Sequence, residues 1–472
     1  MRMGAARISG LFFLILGVLA EGRPNVLFII SDDLTAEALG CYGNGQVATP
    51  NIDGLAERGM RFTRVYCQYP VCGPSRAALM SGLYPQQNGV VGNGSSGKLV
   101  SVLGERPTLP QHFKENGYRS SRVSKIYHMR VPGDITAGVD GPDHPASWSE
   151  RFNCQAPEWM TEGKAEHLSR ERLKFDPDGH YGLGFGSAFY VVKGEGSGVE
   201  QADTQAATKA IEILQSKGEA PFFLAVGLVR PHVPLVAPEV FFEGYDEDGI
   251  ELMERVEGDR DDIPRGGVSK TTERTGLAGE PAKERRVLAA YYAAVSYMDA
   301  QVGRILAALD ECGLREKTIV VFTSDHGYHL GEHDFWQKMS LHEESVRVPL
   351  MVDVPGRGAG VSESLVEAVD YYPTLVELAG LAVPEHCVGK SFAGILDDPS
   401  KEIRDEIYCM KGKAHLLRTA AFAYMSYPEG EEELYDMVGD PKQYVNLAGK
   451  PAAAGVLEEM RGRLERKLDG LK

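Results

Sequence analysis

The stretch NVLFIISDD, residues 25–33, decides the fold. Residues 25–30 form a continuous apolar run with β-branched members and no polar alternation, which reads as a strand buried on both faces of a parallel sheet. It ends in two adjacent carboxylates, Asp32 and Asp33. Neighbouring side chains on a strand point to opposite faces, so the two converge only where the chain turns at the strand end. Residues 221–229 (PFFLAVGLV) are a second such run, followed by Arg230-Pro231-His232. Residues 318–323 (TIVVFT) are a third, followed by Ser324-Asp325-His326-Gly327, and residues 348–354 a fourth, closed by Pro355-Gly356.

Helical periodicity lies between these runs. Residues 287–312 carry apolar side chains at helical spacing and stop at Gly313, and residues 110–115 form a shorter helix before Asn116-Gly117. Alternating strands and helices predict an α/β fold with a mostly parallel central sheet covered on both faces. Ligands of such sheets bind beyond the carboxyl ends of the strands, where the three polar clusters fall. Residues 133–200 and 244–285 are polar and read as insertions that shape a substrate entrance. After about residue 395 the pattern changes to short strands and a final amphipathic helix at 452–471. This predicts a main domain over 21–395 and a smaller α+β subdomain over 396–472.

Composition fits a globular protein: 43% hydrophobic and 25% charged over 472 residues. At the amino terminus, Arg2 and Arg7 precede an apolar run at 11–20, with Val18 and Ala20 placed for a cut before Glu21. That is the order of a secretory signal peptide over residues 1–20, too short to serve as a stable membrane anchor. The mature chain is expected to be exported, periplasmic or extracellular, or lysosomal in a eukaryote. The formal charge of −17 argues against nucleic acid as a partner, although a local basic pocket can still receive an anion. Seven cysteines are an odd number, so one is left over from any full pairing, and the sequence does not give the pairs.

Two adjacent carboxylates are costly together unless a cation neutralises them; the plainer use of such a pair is to cap a helix. Asp325 and His326 repeat the arrangement on another strand end. Three carboxylates and one histidine suit a hard divalent cation, Ca²⁺ or Mg²⁺, better than zinc. Further histidines follow closely, His329, His333 and His342; the plainer reading of this histidine-rich stretch is a solvated loop. In Val71-Cys72-Gly73-Pro74-Ser75-Arg76, Pro74 and Ser75 suit a first helical turn, which places Cys72 just before a helix amino terminus. Such a position stabilises negative charge, and Arg76 one turn in can reach back to it. The plainer reading of Cys72 is a buried structural thiol.

Cys72-Gly73-Pro74-Ser75-Arg76, continuing to Gly82-Leu83-Tyr84-Pro85, resembles the signature of the type I sulfatases of the alkaline phosphatase superfamily. The resemblance extends to Asp32-Asp33, Lys125-Ile126-Tyr127-His128, Pro231-His232, Ser324-Asp325-His326-Gly327, Lys338 and Glu433-Leu434-Tyr435-Asp436. Lys125-x-x-His128, and His326 where many members carry Asn, make it most similar to the iduronate-2-sulfatase type. The resemblance implies an alkaline phosphatase-like fold and hydrolysis of the sulfate ester of a sulfated saccharide. It implies that a formylglycine-generating enzyme oxidises Cys72 to formylglycine, whose hydrate attacks sulfur. It further implies one divalent cation, Ca²⁺ in preference to Mg²⁺, on Asp32, Asp33, Cys72, Asp325 and His326. Lys125 and Lys338 then contact sulfate oxygens, His232 protonates the leaving alcohol, and Arg76 and His128 orient the hydrate. Two alternatives stand beside this: a phosphate mono- or diester hydrolase of the same superfamily, and a non-catalytic glycan-binding protein. The second fits poorly with retention of Cys72, Arg76, Lys125 and His232.

Overall fold

The computed structural model describes residues 22–471 apart from 172, 174–183, 185–186, 217, 219 and 270. The signal peptide expected over residues 1–20 and its cut before Glu21 lie outside the described residues. Among the described residues the central sheet has nine strands. In chain order they are β1 (Asn25–Asp32), β2 (Met60–Tyr66), β3 (Arg119–Ser124), β4 (Glu150–Phe152), β5 (Phe222–Pro231), β6 (Thr318–Ser324), β7 (Arg347–Asp353), β8 (Gly360–Ser362) and β9 (Val366–Glu367). Their spatial order is β8-β2-β7-β6-β1-β5-β3-β4, with β9 also paired to β2.

Strand β1 lies at the centre, parallel to β5 and β6, and β3 continues the parallel set beside β5. The first three apolar runs are therefore parallel neighbours, as expected. The fourth is not: β7 runs antiparallel to both β6 and β2. The chain reaches it from β6 through a four-residue helix, Glu343–Val346, and no helical crossover of the length that a parallel return requires intervenes.

Both faces of β1 are buried. Leu27 and Ile29 pack with residues of α1 (Pro50–Arg58), α4 (Ala202–Gln215) and α5 (Pro281–Glu311). Val26, Phe28 and Ile30 pack with residues of α2 (Cys72–Ser81), α3 (Leu109–Glu115) and α6 (Tyr371–Leu378) on the other side. Each buried Leu, Ile or Phe contributes about 1.5–3 kcal/mol. Because both faces are apolar, the hydrophobic pattern alone does not fix the register. The polar end does, since a one-residue slip would move the Asp32 carboxylate into an apolar layer.

The chain ends in an antiparallel meander of β10 (Glu406–Lys411), β11 (Ala414–Thr419), β12 (Phe422–Ser426) and β13 (Glu432–Asp436). Helix α7 (Ala454–Asp469) follows, and its Leu457, Met460 and Leu464 join Tyr408, Leu417, Tyr424 and Leu434 in a separate apolar cluster. All seven cysteines are free thiols. No helix among the described residues is long and apolar enough to cross a membrane.

Candidate active site

Four parallel neighbours, β3, β5, β1 and β6, end at one rim of the sheet and each delivers polar side chains there. At β1 the chain turns at Asp33, which has φ +63°, so its carboxylate comes to the same side as that of Asp32. Aspartate tolerates the left-handed region better than most residues. At β6, Asp325 Oδ1 accepts from the backbone N–H of Asp33 at 3.3 Å and of His326 at 3.0 Å, which ties two strand ends together. At β3, Ser124 turns with φ +58° and Lys125 follows. That turn presses against β5, where a Cβ on Gly227 would lie 1.9 Å from the Lys125 carbonyl oxygen, so only glycine fits.

Helix α2 faces the rim and begins at Cys72, one residue earlier than its sequence suggests, with Val71 as the extended N-cap. Cys72 Sγ lies 3.3 Å from His326 Nε2 and 3.9 Å from Asp33 Oδ1, and Lys338 Nζ donates to it at 3.3 Å. Lys338 Nζ also pairs with Asp33 Oδ1 at 2.5 Å, and Lys125 Nζ pairs with Asp32 Oδ2. His326 Nδ1 donates to the Gly327 carbonyl at 2.9 Å, and its Nε2 lies 3.2 Å from Asp33 Oδ1. His232 Nδ1 donates to the Val233 carbonyl at 2.5 Å and turns Nε2 toward Asp33 Oδ2 at 3.7 Å. His128 is buried three residues after Lys125, with no hydrogen-bond partner for its Nδ1 among the described residues.

Arg76 does not reach back to Cys72 by a hydrogen bond. Fully buried, it lies beneath the carboxylates: Nε donates to Asp325 Oδ2 at 2.8 Å and Nη2 to Asp32 Oδ1 at 3.4 Å. Its remaining N–H groups bond the carbonyls of Ser31, Lys125 and Ile126, so one guanidinium braces three strand ends.

The electrostatics follow from this packing. Burial alone would raise Asp32, yet Lys125, His232 and Arg76 hold it well below the usual carboxylate range. Burial and the charge on Asp32 push the Cys72 thiol above its ordinary value. Burial and the Lys125 ammonium push His128 well below its ordinary value, so it is neutral. Ligand atoms of Asp32, Cys72, Asp325 and His326 all lie within 4.8 Å of one another, and those of Asp33, Cys72 and His232 form an overlapping group. Three aspartates face three protein cations, Lys125, Arg76 and Lys338, so these groups are neutral together. A divalent cation would make room for two further negative charges, and the oxygen-rich donor set fits a hard ion.

The family model described as Sulfatase matches residues 24–381, and one described as N-sulphoglucosamine sulphohydrolase, C-terminal, matches residues 331–469. The chain belongs to the sulfatase family. It is 32% identical to human iduronate 2-sulfatase over 472 aligned residues, covering 92% of this chain and 79% of that protein. It is 31% identical to a sulfatase of Formosa agariphila, covering 94% and 86%. Among solved structures it superposes on the phosphonate monoester hydrolase of Agrobacterium radiobacter with a TM-score of 0.76, at 23% identity and over 95% and 96% of the two chains, which is a likeness of fold.

In this sulfatase-family enzyme the sequence reading overlooked a supporting layer. Arg230, just before His232, is buried and donates to both carboxylate oxygens of Glu158 at 2.6 and 2.7 Å. Its other nitrogen holds the carbonyls of His232 at 2.7 Å and Pro234 at 2.9 Å. Asp203 accepts from the backbone N–H groups of Val229 and Arg230. Glu158 stands in the 133–200 insertion with no motif around it, so no signal in the sequence pointed to it. Tyr291 of α5 donates to the Asp33 carbonyl at 2.6 Å and holds the turn from behind. The histidines expected in a solvated loop, His329, His333 and His342, are all buried instead, beneath β13 and residues of the second insertion.

Proposed function

We propose that this sulfatase hydrolyses the sulfate ester of a sulfated saccharide, with a nucleophile made from Cys72 by oxidation to formylglycine. The carrying observation is that Cys72 Sγ lies 3.3 Å from both His326 Nε2 and Lys338 Nζ, within a ring of three buried aspartates. The unmodified thiol is poorly suited to attack, because burial and Asp32 keep it protonated. A formylglycine hydrate supplies one hydroxyl for attack on sulfur and a second through which sulfate is later expelled. Asp32, Asp33, Asp325 and His326, with the oxygen that replaces Cys72 Sγ, would hold a divalent cation, Ca²⁺ in preference to Mg²⁺. Such a cation, when bound, offsets charge on the sulfate and acidifies the adjacent nucleophile.

The remaining steps belong to the chain's own groups. Lys125 and Lys338 turn from Asp32 and Asp33 to the free sulfate oxygens. His232 is the general acid. Its Nδ1–H is held by the Val233 carbonyl, which aims Nε2 toward the rim where the leaving alkoxide takes its proton. His128, kept neutral by burial and Lys125, accepts a proton from the nucleophile's second hydroxyl. Arg76 fixes Asp32 and Asp325 in register.

The saccharide class rests on the names of the relatives, iduronate 2-sulfatase above all. Export and processing by a formylglycine-generating enzyme complete the proposal, as does sugar recognition by the segments 133–200, 244–285 and the carboxyl-terminal subdomain. The test is mass analysis of the Cys72 peptide from protein made in its host, joined to a desulfation screen over defined sulfated saccharides with Cys72→Ala as the blank. A mass loss matching thiol-to-aldehyde conversion is expected. A fully active protein with an intact thiol would overturn the mechanism, and phosphate esters turned over faster than every sulfate would favour the phosphohydrolase reading.

A further inference from the structure

Two cysteines that the active site does not use meet where the carboxyl-terminal subdomain packs on the central sheet. Cys67 directly follows β2, and Cys409 lies in β10. Both are fully buried. Strand β9 links the two elements: Glu367 pairs with Tyr66 of β2, and its Oε1 accepts from the backbone N–H of Tyr408 at 2.8 Å. Further along, the backbone N–H of Met410 donates to the carbonyl of Gln68 at 3.1 Å. The residue after each cysteine is thus joined to its counterpart, which sets the two backbones at the spacing of neighbouring strands. Side chains alternate along β10. Tyr408 enters the apolar cluster under α7, whereas Ile407 and Cys409 enter the sheet-side cluster that also holds Cys67. The two sulfurs therefore face each other, and burial together with the Cys67 side chain pushes the Cys409 thiol well above its ordinary value.

Neighbouring strands lie about 4.7–4.9 Å apart, within the ~4.4–6.8 Å between α-carbons that a disulfide spans. Other cysteines face different groups. Cys41 faces Asp53, Cys154 faces Ser124, and Cys72 lies among Asp33, His326 and Lys338. Cys67 also stands five positions before Cys72 in the chain. A bond between those two would consume the thiol from which the nucleophile is made, and a bond from Cys67 to Cys409 prevents it.

We propose that Cys67 and Cys409 are joined by a disulfide in the exported protein, tying the carboxyl-terminal subdomain to the strand end that leads into Cys72. The bond rests on the export proposed above and not on the chemistry of the rim. Its oxidant is a protein disulfide of the export compartment. One cysteine thiolate attacks that disulfide to give a mixed disulfide, and the second thiolate displaces the oxidant's sulfur. The Cys67–Cys409 bond forms, and the oxidant leaves as a dithiol that has taken up two electrons and two protons. The step belongs to folding, because in the packed chain both sulfurs are out of reach and Cys409 keeps its proton.

The test uses the full chain with Cys72→Ala, exported to an oxidising bacterial periplasm, so that the tryptic peptide 65–76 holds Cys67 as its single cysteine. The protein is alkylated under denaturing conditions without reduction and then digested. Mass analysis is expected to find peptide 65–76 linked to peptide 405–411, two hydrogens lighter than the pair, with the link lost on reduction. Reductant should lower the Tm of this chain by about 2–5 °C and leave unchanged that of a chain that also carries Cys67→Ala and Cys409→Ala. Alkyl groups on both Cys67 and Cys409 overturn the proposal, as does a link from either to another cysteine. Should export fail, the same peptides from chain refolded in mixed reduced and oxidised glutathione decide. Because the test chain lacks Cys72, a failure of formylglycine formation in the parent protein leaves this result untouched.

Discussion

Replacing Arg76 by methionine removes the brace beneath the acidic rim while keeping an unbranched, apolar side chain of similar length. The substitution withdraws a guanidinium that bonds Asp325 at 2.8 Å, Asp32 at 3.4 Å and the carbonyls of Ser31, Lys125 and Ile126. Asp32 and Asp325 are fully buried, so water does not replace the lost partner. Removing one member of such a buried network costs about 3–5 kcal/mol, chiefly because a charge is left uncompensated. Unfolding entropy of about 2.1 cal/mol/K per residue gives roughly 0.9 kcal/mol/K for a chain of this size, so Tm should fall by about 3–5 °C. Arg76→Lys restores the charge without the planar fork and should recover only part of the loss. Differential scanning calorimetry in the presence of a chelator measures both variants without a bound cation masking the effect. A fall of less than about 1 °C in Arg76→Met would mean that the brace carries little energy and that the reasoning from its contacts is wrong.

Glu158→Gln leaves Arg230 buried beside a weaker partner and loosens the loop of His232. Steady-state kinetics on a sulfated substrate should show kcat falling by ten-fold or more with KM nearly unchanged, and an equal change in KM would refute a positioning role. His128 titrates below its unfolded value of about 6.5, so its contribution to stability is complete above that pH and is lost as the pH falls toward its folded value. His128→Asn should therefore flatten the decline in Tm below pH 6.5 relative to the parent chain. Chelation should lower Tm by about 3 °C if the cation is present at a hundred times its Kd, because binding then contributes about 2.7 kcal/mol. Asp325→Asn should abolish that difference.

The sequence revealed the site better than it revealed the site's surroundings. Three apolar runs ending in polar clusters were enough to place Asp32, Asp33, His232, Asp325 and His326 at one rim, because in a parallel sheet equivalent strand ends meet. The fourth run misled, since a buried strand looks equally apolar in either direction, and only the connection before β7 sets its sense. The histidine-rich segment misled for a related reason. Its polar composition suggested water, whereas its imidazoles are covered by Asp259 and Glu433, which are 74 and 91 positions away from His333 and His342 respectively. Arg76 was found by its motif, but its direction depends on how α2 is seated against β1, β3 and β6. Glu158 had no signature because its partner, Arg230, is brought to it by the fold alone.

Two ammonium groups of the rim are already engaged at rest, Lys125 by Asp32 and Lys338 by Asp33. On the proposed mechanism an incoming ester must therefore win them from internal rivals, and an uncharged hydroxyl has no means of doing so. When sulfate departs, after the alcohol has already left, both lysines would close back on their aspartates. The same pairing that keeps the carboxylates ionised would thus set a threshold that only an anion passes.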